Sequence, residues 1–156
     1  MRPVFNKRAL YSDNTENYLY PAEPAPYSEV AVRFRAEKNN VDRVVLEWKV
    51  TSHLMEKTEE TDLFEYYELV LELEDNSISY CFKVQSGKMT LYFDQRGAVK
   101  EADPDYYFTI IPGFKTPGWA KGAVMYQIMV DRFYNGDPGN DVEDDEYFYI
   151  RHGSRK

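Results

Sequence analysis

A single cysteine, Cys81, stands among 156 residues, so no intrachain disulfide staples the fold. The core must come from apolar side chains, and a reducing compartment suits such a chain. Cationic excess is also missing: 19 Lys and Arg face 27 Asp and Glu, a net charge of −8. Phosphate backbones are held by clustered cations, so the balance argues against nucleic acid as a partner. The same balance argues against an anionic membrane surface. No apolar run approaches the roughly 18 residues that a membrane-spanning helix needs. Residues 1–14 include basic side chains with no hydrophobic stretch behind them, so they do not read as a secretory signal. The chain therefore reads as cytoplasmic. Histidine is scarce too, and His53 and His152 lie far apart with no cysteine beside them, which gives a transition-metal site little support. Glycine-rich phosphate loops, a Gly-x-Ser-x-Gly elbow and His-Glu-x-x-His are all absent. A catalytic carboxylate pair cannot be singled out from so many acids. The length permits a sizeable core but not a complete (β/α)8 barrel, which takes roughly 250 residues.

Aromatic residues are abundant, at 16% of the chain. They pack well on pleated surfaces and favour β structure. Val30, Val32 and Phe34 alternate with Ala31, Arg33 and Arg35, the period of a strand with one buried face. Val44, Leu46, Trp48 and Val50 alternate in the same way. Residues 53–62 are polar and charged, and predict a loop. Leu69, Leu71 and Leu73 share a face. Ile78, Tyr80, Phe82 and Val84 follow, then a Gln85-Ser86-Gly87-Lys88 hairpin turn, then Met89, Leu91 and Phe93. Residues 106–111 predict one more short strand. Half a dozen short strands with no segment of helical period predict an all-β, antiparallel β-sandwich of the immunoglobulin-like kind over residues 1–111.

The composition then changes. Pro112-Gly113 and Pro117-Gly118 bracket residues 114–116, which read as a linker spanning 112–118. Beyond it, residues 123–130 run Ala-Val-Met-Tyr-Gln-Ile-Met-Val without alternation. A strand buried on both faces reads this way, as in a parallel sheet or barrel. Residues 119–156 are thus expected to open a second domain that this chain does not complete. The apolar strand is expected to dock on the sandwich or pair with a second copy, and so to resist proteolysis.

The sharpest local chemistry is Asn135-Gly136-Asp137-Pro138-Gly139-Asn140-Asp141, with four oxygen-bearing side chains in a short turn-rich loop. Hard cations such as Ca²⁺ take six to eight oxygens at about 2.3–2.6 Å. The spacing is not that of an EF-hand, and a solvated acidic turn is the bland alternative. Glu143, Asp144, Asp145 and Glu146 read as a solvated face. Flat rings could also receive sugars, whose C–H faces are apolar. Trp48, Tyr80 and Phe82 share faces with aliphatics and predict core. Phe64, Tyr66 and Tyr92 fall opposite the aliphatic faces of their strands, and Tyr66 and Tyr92 are the candidate carbohydrate contacts. Arg33 and Arg35 point outward, by default into solvent.

Some of these residues resemble a known family. Trp119, then Tyr126-Gln127-Ile128, Asp131-Arg132-Phe133-Tyr134-Asn135-Gly136-Asp137 and Asn140-Asp141, resemble the opening of the catalytic barrel in the alpha-amylase family, glycoside hydrolase family 13. The neopullulanase, cyclomaltodextrinase and maltogenic-amylase branch is the most similar. Met129-Val130 departs from it, where the family often has Phe-Pro. Tyr27–Arg35, Phe64–Tyr67, Tyr80–Val84 and Leu91–Gly97 resemble segments of the β-sandwich that precedes the barrel in that branch, carbohydrate-binding module family 34. The resemblance implies a module that binds or positions an α-glucan for a hydrolase of α-1,4 or α-1,6 glucosidic bonds. The catalytic carboxylates would lie on later barrel strands, so no catalytic residue is carried over and this chain alone is expected to be inactive. The alternative it implies is a sandwich that binds no sugar and instead joins the full-length enzyme into a homodimer. It also implies calcium in the full-length enzyme, with Asn135, Asp137, Asn140 and Asp141 as ligands completed from elsewhere, so that this chain binds it weakly or not at all.

Overall fold

The computed structural model describes residues 5–141, 150–151 and 154–155. The chain divides into two units, Met1–Thr116 and Pro117–Lys156. Among its described residues the first unit holds ten strands: β1 (Leu19–Tyr20), β2 (Glu29–Glu37), β3 (Arg43–Trp48), β4 (Thr51–Leu54), β5 (Glu56–Glu60), β6 (Phe64–Glu72), β7 (Ile78–Ser86), β8 (Met89–Asp94), β9 (Gly97–Val99) and β10 (Phe108–Ile110). All strand pairings in it are antiparallel. One sheet runs in the order β1-β2-β6-β5. The other runs β4-β3-β7-β8-β9, and β10 also pairs with β7, at Ile78–Tyr80. The predicted β-sandwich is the observed architecture.

The alternation sets which side chains face the interior. On β2, Val30, Val32, Phe34 and Ala36 are buried, while Ala31, Arg33 and Arg35 between them face outward. Across the sandwich Val44, Leu46, Tyr80, Phe82 and Val84 are completely buried. At its centre the Phe34 ring lies 4.8 Å from Phe82 and 5.3 Å from Phe93, with Phe108 stacked 6.3 Å from Phe93. Offset and edge-on ring contacts of this kind add to the burial energy. Gly87 turns the β7–β8 hairpin at φ +60°, as its place in the predicted turn requires.

Three expectations are corrected. Residues 53–62 are not one loop: they contribute the second half of β4 and all of β5. Met55, buried between these strands, is the point where the chain passes from one sheet to the other. Val50 does not extend β3. The strand ends at Trp48, the chain turns at Lys49 with φ +56°, and Val50 is fully exposed. Residue 106 lies in a 3-10 turn, Pro104–Tyr106, ahead of β10.

In the second unit, residues 123–129 form no strand, and Val124, Met125 and Tyr126 are at least three-quarters exposed. A short helix, α1 (Val130–Phe133), follows directly. The predicted doubly buried strand is therefore not formed, because a strand of that kind needs flanking strands and none pairs with it among the described residues. A 3-10 turn, Pro138–Asn140, and the pair β11 (Ile150–Arg151) and β12 (Ser154–Arg155) complete the described elements. Glu143, Asp144, Asp145, Glu146 and His152 lie outside the described residues. No helix among the described residues is long and apolar enough to cross a membrane.

Candidate functional site

The outer face of the β1-β2-β6-β5 sheet carries a continuous set of rings and charges. Register explains how they meet. Arg33 lies opposite Glu68 and Arg35 opposite Tyr66, so β2 and β6 present their odd and even positions to the same side. The Arg33 guanidinium sits over the Tyr66 ring at 4.2 Å. Its Nε lies 3.0 Å from the Glu68 carboxylate, and its Nη2 contacts Glu59. The chain before β1 adds two more rings. Tyr11 is held to β2 by reciprocal backbone bonds, Tyr11 N to Arg35 O at 2.9 Å and Arg35 N to Tyr11 O at 2.8 Å. Tyr18 takes a hydrogen bond on its carbonyl from Arg33 N, and its ring meets Tyr11 edge-on at 5.1 Å.

Beside Arg33 the surface dips into a depression of about 230 Å³, walled by Tyr18 and Tyr20, with Glu16, Asn17, Arg33 and Glu68 around it. Ala31 lies at this point of β2, where its short side chain leaves room. Rings beside fixed donors and acceptors match what a pyranose offers, apolar C–H faces and hydroxyl edges. The Tyr11 hydroxyl donates to Asp13 at 2.8 Å, and this bond, with the carboxylate's charge, raises the phenol above its ordinary value. Burial pushes the Asp13 carboxyl up, but bonds from Thr15 and Tyr11 outweigh it and hold the group below its usual range.

Of the two predicted sugar contacts, Tyr66 belongs to this face. Tyr92 does not: it is half-buried on the outside of the other sheet, with Lys83 Nζ 5.8 Å from its ring centre. The structure thus keeps the pair apart. Tyr80 and Phe82 are core as predicted. Trp48 is only partly buried, with Lys49 Nζ 4.9 Å from its ring and His53 6.1 Å away. The sequence reading missed Tyr11, Tyr18 and Tyr20, which lie outside long alternating runs. It also left Arg33 and Arg35 to solvent, although aromatic positions on the paired strand were a signal that they stack.

The predicted cation loop closes on itself. Asn135 Nδ2 donates to both carboxylate oxygens of Asp141, at 2.6 and 2.8 Å. Asn135 Oδ1 accepts from Asp137 N at 3.2 Å, and Asp137 Oδ1 from Gly139 N at 3.0 Å. Two carboxylates and a carboxamide suit a hard cation in kind, and Asn135 and Asp141 are already at contact distance. In number they fall short of the six to eight oxygens such an ion takes. The described residues hold no group of three or more His, Cys, Asp or Glu placed to bind a metal.

The profile of the alpha amylase N-terminal Ig-like domain matches residues 5–112. Neopullulanase 2 of Thermoactinomyces vulgaris is 30% identical over 148 residues, which cover 85% of this chain and 25% of that protein. A cyclomaltodextrinase of Geobacillus thermopakistaniensis is 28% identical over 151 residues, with the same coverage of each. An amylopullulanase of Thermoanaerobacterium thermosulfurigenes is 44% identical over 88 residues, half of this chain and 5% of that protein. Among solved structures, a cyclomaltodextrinase superposes with a TM-score of 0.59 at 27% identity, covering 90% of this chain and 26% of the other. The chain spans about a quarter of the length of the first two of these relatives.

Proposed function

Because the chain belongs, through residues 5–112, to the family of alpha-amylase N-terminal Ig-like domains, we propose that it binds or positions an α-glucan for a glycoside hydrolase of the cyclomaltodextrinase and neopullulanase kind. In this reading residues 119–156 open the catalytic barrel. Hydrolysis of α-1,4 or α-1,6 bonds follows a retaining two-carboxylate course on residues outside this chain. The setting is the cytoplasm. The observation that supports the reading is the outer face of the β1-β2-β6-β5 sheet, where Tyr18, Tyr20 and Arg33 border an open depression with carboxylates at its rim and Tyr66 lies beneath the Arg33 guanidinium. Tyr66 and Tyr18 receive the sugar's apolar face, and Glu68 and Arg33 bind its hydroxyls. Tyr92 is a second, separate contact on the opposite sheet.

Titration of the ¹⁵N-labelled chain with maltoheptaose tests this. Shifts should cluster on Tyr18, Arg33 and Tyr66, and Tyr66→Ala should weaken binding about tenfold, the loss of one good stacking contact. Tyr92→Ala should remove only the shifts around residue 92. Silence at millimolar sugar would overturn the binding role.

Asn135, Asp137, Asn140 and Asp141 would hold part of a Ca²⁺ shell, with the remaining oxygens from outside the loop. The ion's role there is to fix the loop's shape. Calorimetry on this chain should show weak Ca²⁺ binding, and an Asp141→Asn variant should abolish it.

A second reading rests on a row of the same face that shares Tyr20 and Ala31 with the depression. Tyr20, Ala31 and Val70 are neighbours across β1, β2 and β6, and Tyr20 and Val70 are 70% and 57% exposed. Such a row suits packing against a neighbouring subunit, so that the sandwich joins a homodimer rather than holding sugar. Sedimentation of the full-length enzyme with Val70→Lys should then show monomer; an unchanged dimer counts against this reading.

A further inference from the structure

Arg35 is held differently from the other outward arginine of its strand. Arg33, two residues away on the same face, meets Glu59 and Glu68. Arg35 has no carboxylate partner among the described residues, in a chain with 27 acids. Its guanidinium is instead enclosed by rings, 4.5 Å from the centre of Phe64 and 5.2 Å from that of Tyr11. Its Nε, like that of Arg33, is buried and makes no hydrogen bond. Ring faces compensate a cation only in part, and the terminal nitrogens of Arg35 make no hydrogen bond or ion pair among the described residues, which leaves them available to a ligand. The side chain is also fixed in advance. Tyr11 is locked to the Arg35 backbone by paired hydrogen bonds, and Phe64 stands on the neighbouring strand. A guanidinium so fixed loses little freedom when it binds.

The surroundings add a second, independent observation. Tyr11 also borders a groove of about 570 Å³ lined by Lys7, Arg8 and Arg96. Lys7 and Arg8 are exposed and have no ion pair among the described residues. The acids of that groove are already engaged. Asp13 accepts from Tyr11 and Thr15, and Asp94 accepts from Arg96. Asp13 keeps its charge and Arg96 is paired with Asp94 and Asp103, so Lys7 and Arg8 are the cations of this groove without an ion pair among the described residues.

We propose that the Tyr11–Arg35–Phe64 stack is a receptor for a phosphate-sized oxyanion, free or esterified to a sugar, bound end-on by the terminal nitrogens of Arg35 with the two rings as walls. Nothing in this requires the neutral-glucan reading, which uses Tyr18, Tyr66 and Arg33. If that reading is also correct, the stack lets the same face prefer a glucan that bears a phosphate ester.

The test is titration of the ¹⁵N-labelled full chain with sodium phosphate, following the Arg35 Nε–H resonance, against sodium chloride of equal ionic strength. Saturable millimolar shifts in phosphate alone support the site. Equal shifts in both salts overturn it, as they show only screening. Arg35→Lys keeps the charge but loses the planar fork, and should weaken phosphate binding about tenfold; undiminished binding by this variant overturns the assignment. Should the variant not fold, the titration of the parent chain still decides. Glucose 6-phosphate and glucose then separate the sources: tighter binding of the ester than of inorganic phosphate assigns the site to a sugar phosphate, and equal binding assigns it to the free anion. Tyr66→Ala should leave phosphate binding intact, so loss of maltoheptaose binding and loss of phosphate binding are read independently.

Discussion

At the residue scale the most constrained charge is Asp94. It is fully buried at the end of β8 and accepts from Arg96 three times, at N (3.0 Å), Nε (3.1 Å) and Nη2 (2.6 Å). Arg96 in turn lies over the Tyr106 ring at 4.3 Å. Burial alone would push the carboxyl up, but the hydrogen bonds and charge of Arg96 outweigh it and hold the group below its ordinary value. An acid with a depressed folded-state value stabilises the fold above its unfolded value, about 3.9, and the benefit fades as pH falls through the folded one. Asp94→Asn should therefore cost about 2 kcal/mol in urea unfolding at pH 7, since Arg96 keeps part of its surface in water. The gap between variant and parent should close below about pH 4. A gap that stays constant down to pH 2 would show that shape, not charge, fixes this corner.

The same scale shows what could be read in the sequence. The hairpin turn at Gln85-Ser86-Gly87-Lys88 was evident from its residue types, but the locked ion pair of Asp94 and Arg96 was not, because nothing in the spacing says that Asp94 turns inward. Tyr66 was identifiable from parity alone. Its partners Tyr11 and Tyr18 were not, because they belong to no periodic segment and reach the face only through long-range backbone pairing.

At the scale of elements, the strands with one buried face were legible, since their period of two is written in apolar residues. β4 and β5 were not. They are edge strands, and every residue of β5 is exposed, so neither face carries an apolar signature. Three of the five β5 residues are glutamate, and charge on an edge discourages further strand pairing. A register shift between Lys57 and Glu59 sets Thr58 out as a bulge, which hides the period further. Only Met55, the buried residue between the two strands, ties this stretch to the core. Met55→Ala should cost about 2–4 kcal/mol, and Thr58→Ala should stay within about 0.5 kcal/mol, both read as midpoint shifts in urea. Equal effects would mean that the edge pairing, not the methionine, anchors the crossing.

On the scale of the whole molecule, the apolar run at 123–129 and the sandwich core illustrate one rule from opposite sides. Burial of a strand needs neighbours with the same demand. Phe34, Phe82 and Phe93 find each other across two sheets, so alternation was a sound guide to them. Val124, Met125 and Tyr126 are as apolar, yet no strand pairs with them among the described residues and they stay exposed. The expectation of protection from proteolysis is reversed accordingly. Limited chymotrypsin should cut first at Tyr126 or Phe133, both exposed, while Phe34 and Phe82 survive. Among the described residues, the buried hydrophobic cluster draws on residues 5–110. A chain ending at Thr116 should therefore unfold at the same urea midpoint as the full chain. It should also bind less of a dye such as ANS, because the exposed apolar segment is gone. A midpoint lowered by more than the error of the measurement would mean that residues 117–156 contribute to the stability of the sandwich, and the two units would then have to be treated as one cooperative body.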